Sequence, residues 1–168
     1  AHLSPGDAVG VFYLIISPAP PVCPTETRSL LGRLAAIDAS GLDGVVLDTF
    51  REHYASYLAR VKRDPEAALA YRVSTLPEDW RDDFGHLRSV ATWCLGQEVA
   101  LDRARELTQR AAERASNPIE RLETMMLEAR IASAAGDHAD AVSLMEAVDE
   151  AVPNNQTVTG LLERFREL

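Results

Sequence analysis

Several residue types that would point to a particular chemistry are scarce in this sequence. Among its 168 residues lysine occurs only as Lys62, and the two cysteines, Cys23 and Cys94, are far apart in the chain. Neither a Cys-x-x-Cys pair nor a Cys/His spacing typical of zinc is present. Two separate thiols are therefore the favoured interpretation, with a single disulfide in an oxidising compartment as the alternative.

Positively charged residues are also few. The sequence has 17 Lys and Arg residues and 26 Asp and Glu residues, so the net charge is −9. Such a chain lacks the clustered basic face that binds nucleic-acid phosphates or anionic lipid. The deficit is greatest between Arg130 and Arg164, where no Lys or Arg occurs. This interval predicts either a solvated face or a surface that attracts a basic partner, and its acidic residues are Asp137, Asp140, Glu146, Asp149, Glu150 and Glu163.

Long hydrophobic runs are missing as well. The longest apolar stretch, Ala8 to Ile16, is too short to cross a bilayer, which takes about 20 residues, and no basic segment precedes it as in a signal peptide. Prolines between Pro18 and Pro24 then favour an extended chain. We expect residues 1–24 to be an N-terminal arm or linker, with a short strand or the end of a membrane anchor that begins before residue 1 as alternatives. The cytoplasm is favoured over a membrane-anchored or exported location.

Helical periodicity dominates from Thr25 onward, and strand-like alternation is almost absent. The clearest amphipathic pattern consists of Val46, Phe50, Tyr54, Tyr57, Leu58 and Val61. The aromatic residues in this set are interpreted as core residues. Because the connections between helices are short, neighbouring helices are expected to pack antiparallel. The sequence thus predicts a single all-α domain over residues 25–168.

Local signals predict where helices begin and end. Asp64 and Asn117 are each followed by a proline at the first helical position, and Gly136 is a predicted left-handed cap. Gly96 is predicted to end or interrupt the helix that follows Pro77, whose inner face is assigned to Trp80, Phe84, Leu87, Val90 and Leu95. In the last helix the inward residues are predicted to be Leu161, Leu162, Phe165 and Leu168, with Arg164 and Arg166 outside.

Residues 122–155 resemble a tetratricopeptide repeat, a 34-residue helical hairpin. The Gly136-Asp137 turn, Ala141 at the helix crossing and Pro153 before two asparagines match the family pattern, whereas His138 stands where an aromatic residue is usual. A weaker similarity covers about residues 64–121. The resemblance implies stacked antiparallel helical hairpins in a TPR-like α-solenoid, preceded here by the short extended arm.

The resemblance also implies a place for a binding site. In this family the first helices of successive hairpins line a concave surface that receives peptides. On the first helix of the clearest repeat the matching residues are Glu123, Met126, Arg130 and Ser133, which share one helix face. A looser alignment of the preceding unit adds His86, Ser89 and Trp93, of which Trp93 is favoured as a core residue.

No catalytic motif accompanies these helices. Phosphate-binding glycine loops, HExxH and GxSxG are absent from the sequence. Asp82, Asp83 and His86 lie within one helical turn, and Glu52 adjoins His53, but either set offers too few ligands for a metal. We therefore expect no metal site, no cofactor and no enzymatic activity.

The sequence favours a non-enzymatic module that binds a protein or peptide, which its acidic end leads us to expect to be basic. Direct nucleic-acid binding is not expected. One alternative is an effector-sensing or oligomerisation domain of a larger bacterial transcriptional regulator or signalling protein, whose activator domains the segment Asn117 to Val142 also resembles. A second alternative is an enzyme with an unrecognised helical site.

Overall fold

The computed structural model describes Ala39, Leu42 and residues 44–168. The predicted N-terminal arm, Cys23 and the helix predicted from Thr25 lie outside the described residues. Within the described part the fold is all-α, as predicted, and no strand occurs there. Its helices are α1 (Gly44–Arg60), α2 (Pro65–Ser74), α3 (Phe84–Gln97), α4 (Leu101–Arg114), α5 (Pro118–Ala135), α6 (His138–Ala151) and α7 (Gln156–Arg166), with a 3₁₀ turn at Trp80–Asp82 before α3.

The chain divides between Thr75 and Leu76 into two compact units. The first unit contains α1 and α2, which pack against each other. The second contains the 3₁₀ turn and α3 to α7, in which each helix packs against the next along the chain. The single domain expected over residues 25–168 stays a prediction.

Aromatic residues hold the first unit together. Phe50 and Tyr57 are buried on the predicted inner face of α1, which confirms their role in the core. Tyr54 lies between them, and its ring centroid is 4.9 Å from that of Tyr71 on α2. α2 begins as predicted, with Pro65 in its first turn and the Asp64 side chain accepting a hydrogen bond from the Ala67 N–H.

The 3₁₀ turn is fixed to α4 by arginine side chains. Trp80 is buried, and the guanidinium of Arg81 lies 4.6 Å from the centre of its ring. Arg110 donates a hydrogen bond to the Arg81 carbonyl at 3.1 Å, and Arg114 pairs with Asp82 at 2.7 Å. Asp82, which the sequence presented as a possible ligand, therefore contributes to packing between two elements.

α3 and α4 form the first hairpin of the second unit. Because their connection spans only residues 98–100, the two helices run antiparallel. The buried side chains of this hairpin include Leu87, Val90, Ala91 and Cys94 on α3, and Ala104, Leu107 and Ala111 on α4. The predicted inner face was partly wrong, because Phe84 and Leu95 are only half-buried.

The predicted helix end at Gly96 is also wrong, since α3 continues to Gln97. Glu98 then adopts the left-handed conformation, with φ of 55°, and its N–H donates to the Cys94 and Leu95 carbonyls. A second left-handed residue, Ala100, precedes α4 with φ of 49°. The turn is therefore made by two residues that both have a Cβ atom, a geometry for which glycine would be the expected signal.

α5 and α6 form the second hairpin, and its boundaries are those the sequence predicts. The Asn117 side chain accepts a hydrogen bond from the Glu120 N–H, and Pro118 occupies the first turn. At the other end of α5, Gly136 has φ of 89° and closes the helix with a hydrogen bond to the Ala132 carbonyl. The small residues Ala129, Ala132 and Ala141 are buried, which allows the helices to approach closely.

α7 covers the second hairpin by packing against α6. Val158, Leu162 and Phe165 are buried in a cluster with Met145 and Val148 of α6. Leu161 is half-buried, and the predicted exposure of Arg164 and Arg166 is confirmed. The inward position predicted for Leu168 is wrong, because α7 ends at Arg166 and Leu168 is 71% exposed.

Candidate functional site

The predicted site residues lie on α3 and α5, the first helices of the two hairpins in the second unit. These two helices contact each other directly, so one surface includes parts of both. A salt bridge joins them, with the Arg88 guanidinium 3.0 Å from the Glu123 carboxylate. Arg88 was not among the predicted residues, although it lies between His86 and Ser89 in the sequence. We call the surface formed by His86, Ser89, Trp93, Glu123, Met126, Arg130 and Ser133 the α3/α5 face.

The pattern of buried residues on α3 recurs on α5. Leu87, Val90 and Cys94 on α3 correspond at a constant offset to Thr124, Leu127 and Ile131 on α5, and all are buried. By the same offset His86 corresponds to Glu123, Ser89 to Met126 and Trp93 to Arg130. The looser alignment of the preceding unit thus agrees with the side of each helix that packs inward.

The buried threonine in this series is compatible with a packed core. Thr124 is 2% exposed, and its hydroxyl donates to the Arg121 carbonyl at 2.8 Å. Thr108 on α4 likewise donates to the Ala104 carbonyl at 2.9 Å. Neither hydroxyl is left unsatisfied, so neither introduces the cost of a buried polar group without a partner.

Arg130 is the exposed charged residue on the α5 part of the face. Within the part of the chain that the structure describes, its side chain has neither an ion pair nor a hydrogen bond, so it is accessible to a partner. Ser133 is half-buried close by in the helix. Met126 is also half-buried and packs against the cluster that α5, α6 and α7 share. The face therefore combines a cation, a hydroxyl and an apolar edge.

The α3 part of the face is less open. Trp93 is 7% exposed, in agreement with the preference for a core role, and its indole nitrogen is buried without a hydrogen-bond partner among the described residues. His86 is half-buried and its N–H donates to the Asp83 carboxylate at 2.7 Å, which caps α3. Ser89 is exposed. Asp83 is thus the N-cap of α3, and His86 contributes only its backbone N–H.

The turn between α4 and α5 orients the helix that presents Arg130. The Glu120 carboxylate accepts hydrogen bonds from the Ser116 N–H at 2.6 Å and from the Ser116 hydroxyl at 3.0 Å. Together with the Asn117 cap, these bonds satisfy groups on both sides of the helix start. The bond from the Ser116 backbone is the main reason that the pKa of Glu120 lies below its ordinary value.

The acidic residues of the last quarter lie mainly on α6, and ion pairs engage several of them. Arg105 of α4 pairs with Asp137 at 2.5 Å, and Arg166 of α7 pairs with Glu146 at 2.7 Å. The hydrogen bond that Arg105 donates to Asp137 is the main cause that raises the pKa of Arg105. Asp149 accepts a weaker hydrogen bond from the Thr159 hydroxyl at 3.4 Å. Part of the acidic charge is thus used in packing α6 against its neighbours.

The first unit contains the other group that the sequence presented as a possible ligand, His53. Burial is the main cause that lowers the pKa of His53, and Glu52 opposes it. Burial likewise raises the pKa of Tyr71, which packs on Tyr54. Throughout the described residues, no group of three or more His, Cys, Asp and Glu side chains could hold a metal ion. None of the described helices is both long enough and apolar enough to span a membrane.

Three comparisons were made with known proteins. No protein-family model, no curated protein and no solved structure matches this chain. The resemblance of residues 122–155 to a tetratricopeptide repeat consequently depends on the residues named above.

Proposed function

We propose that this protein is a non-enzymatic interaction module that binds a protein or peptide segment across the α3/α5 face. The observation that supports the proposal most strongly is the difference between Arg130 and Glu123, the two charged residues on the α5 part of the face. Glu123 is paired with Arg88, and Arg105 with Asp137, whereas the side chain of Arg130 is exposed and has no partner among the described residues. An exposed cation beside an apolar edge suits a segment that combines polar and apolar side chains.

The packing of the second unit supports the same proposal. Consecutive helices pack against each other, and the first helices α3 and α5 are also in contact. In such a layer of hairpins the first helices form a continuous surface, which is the arrangement that repeat proteins use to bind extended segments. The Arg88–Glu123 pair connects the two helices across this surface.

The experiment is a selection of peptides about twelve residues long from a random library on the immobilised full chain. Selected peptides are then titrated against the wild type and against Arg130→Glu and Met126→Ala. We expect Arg130→Glu to weaken binding by about tenfold, because it replaces a contact cation with an anion. Met126→Ala should weaken binding less, and its thermal midpoint must be measured since Met126 also packs against the core.

Arg121→Glu is the matched control for these titrations. Arg121 lies on the same helix and is exposed like Arg130, but nine positions along an α-helix place it on the opposite side. The control should bind selected peptides as the wild type does. Equal binding by all the variants would show that the peptides do not use this face, and the proposed function would then be rejected.

A further inference from the structure

One side of α5 faces solvent along most of the helix. Steps of three and four residues place a set of side chains on this side, which we call the α5 stripe: Ile119, Glu123, Met126, Arg130 and Ala134. Ile119, Arg130 and Ala134 are exposed, whereas Glu123 and Met126 are half-buried. Since Ile119 and Arg130 are about three helical turns apart, their side chains leave the helix in nearly the same direction. Ile119 was not among the predicted site residues, because the resemblance to a repeat begins only at residue 122.

The α5 stripe is more apolar than the solvent side of a helix usually is. Such a side ordinarily carries charged or polar residues. Ile119 is nevertheless 70% exposed, and Met126 and Ala134 add apolar groups farther along the helix. Among the described residues, the other large hydrophobic side chains with comparable exposure are Val45 and Leu168. Val45 lies in the first unit and Leu168 beyond the end of α7, so Ile119 is the one that adjoins the α3/α5 face.

No unpaired charge separates Ile119 from Arg130 along the stripe. Glu123 is the ionisable residue of the stripe between them, and its carboxylate lies 3.0 Å from the Arg88 guanidinium. The other stripe residue between them, Met126, is apolar and half-buried. A segment that extends from Arg130 to Ile119 therefore passes over a neutralised ion pair and an apolar side chain, which suits apolar groups at the Ile119 end.

We propose that Ile119 is the principal apolar contact of the α3/α5 face, against which the bound segment places an aliphatic or aromatic side chain. The inference rests on the proposed function and names the partner's chemistry at one end of the face. Ile119 and Arg130 are about 16 Å apart along α5, a distance that an extended segment spans with about five residues. The bound segment is therefore extended, with an apolar residue about five positions from the residue that contacts Arg130. Covering Ile119 removes apolar surface from water, which favours the complex.

The test is a set of double-mutant cycles between the full chain and peptides selected on it. The peptides used are those whose binding falls with Arg130→Glu but not with Arg121→Glu. Each peptide residue is replaced by alanine in turn, and every peptide is titrated against the wild type, Ile119→Ala and Arg130→Ala. We expect Ile119→Ala to weaken the parent peptides by about fivefold. One apolar peptide residue should couple with Ile119, and a residue about five positions away should couple with Arg130.

Val45→Ala is the matched control, because it shortens another exposed β-branched side chain, one that lies in the first unit. It should bind the peptides as the wild type does. Thermal midpoints of both variants confirm that a loss of binding does not come from unfolding, since Ile119 and Val45 are exposed and their replacement should leave the helices intact.

The possible outcomes separate this inference from the proposed function. Peptides that depend on Arg130 but bind Ile119→Ala as they bind the wild type would overturn the inference and leave the proposed function in place. An equal loss with Val45→Ala, or the absence of a coupled apolar residue about five positions from the Arg130 contact, would overturn it in the same way. Selected peptides that bind Arg130→Glu and Ile119→Ala as tightly as the wild type would overturn both.

Discussion

Single residues at helix ends account for much of the agreement between sequence and structure. Asp64 and Asn117, both predicted as helix starts, accept hydrogen bonds from backbone N–H groups in the first turn that follows. These contacts are local, so they can be predicted from a few neighbouring residues. Glu98 and Ala100 could not be predicted as left-handed residues in this way, because the packing of α3 against α4 dictates their backbone conformation.

Glu98→Gly is predicted to stabilise the protein by about 1 kcal/mol, since glycine adopts a positive φ without the Cβ penalty. Glu98 is exposed, so little side-chain packing is lost. The shift in the urea midpoint measures this effect. Ala112→Gly, at an exposed position inside α4, is the control and should lose about 1 kcal/mol. A Glu98→Gly variant no more stable than the wild type would refute the conformation of this turn.

Glu120→Gln is predicted to remove a pH-dependent contribution to stability. The pKa of Glu120 in the folded protein lies below the ordinary value of 4.5, so its ionised form stabilises the fold above that pH. The contribution is lost as the pH falls through the lowered pKa. The wild type should therefore exceed Glu120→Gln in urea midpoint near neutrality, and the difference should shrink on acidification to about pH 3. A difference that does not change with pH would contradict the ionic role of this carboxylate.

At the level of helices, close packing within each hairpin determines which residues can be exchanged. Ala129, Ala132 and Ala141 are buried between α5 and α6, where larger side chains would push the two helices apart. Ala141 and the Gly136 turn were predicted from the sequence, because both belong to one hairpin. Leu168 was misplaced because apolar spacing continues past Arg166, where the helix itself stops.

Ala141→Leu is predicted to destabilise the protein by about 1–3 kcal/mol, because a buried crossing position has no room for three additional carbons. Ala139→Leu provides the control, since Ala139 is exposed on the same helix and leucine is nearly as good a helix former as alanine. Urea unfolding of both variants measures the difference. Similar stability of the two variants would mean that α5 and α6 do not pack closely at Ala141.

For the whole molecule, the sequence was sufficient to predict the all-α class but not the distribution of charge. The acidic interval from residue 131 to 163 is a linear feature, and folding divides it among α5, α6 and α7 and pairs part of it with Arg105 and Arg166. The seven predicted site residues also differ from one another in solvent exposure, which the sequence did not predict. Trp93 is buried and Arg130 is exposed although they occupy equivalent positions, because burial depends on what surrounds each helix.

The relation of α7 to α5 was also missed, for an identifiable reason. The clearest predicted repeat ends at Asn155, and for the helix that follows only the inward and outward residues were predicted. Val158 and Phe165 lie 34 positions after buried Thr124 and Ile131 and are buried too, whereas Glu163 and Arg166 are exposed where Ala129 and Ala132 are buried.

The central claim is that this protein binds a segment of another chain through the first helices of its hairpins. The most direct measurement is the titration of library-selected peptides against wild type, Arg130→Glu and Arg121→Glu under identical conditions. The account predicts that Arg130→Glu weakens binding by about tenfold, while Arg121→Glu binds as the wild type does. Equal affinities for all three proteins would contradict it.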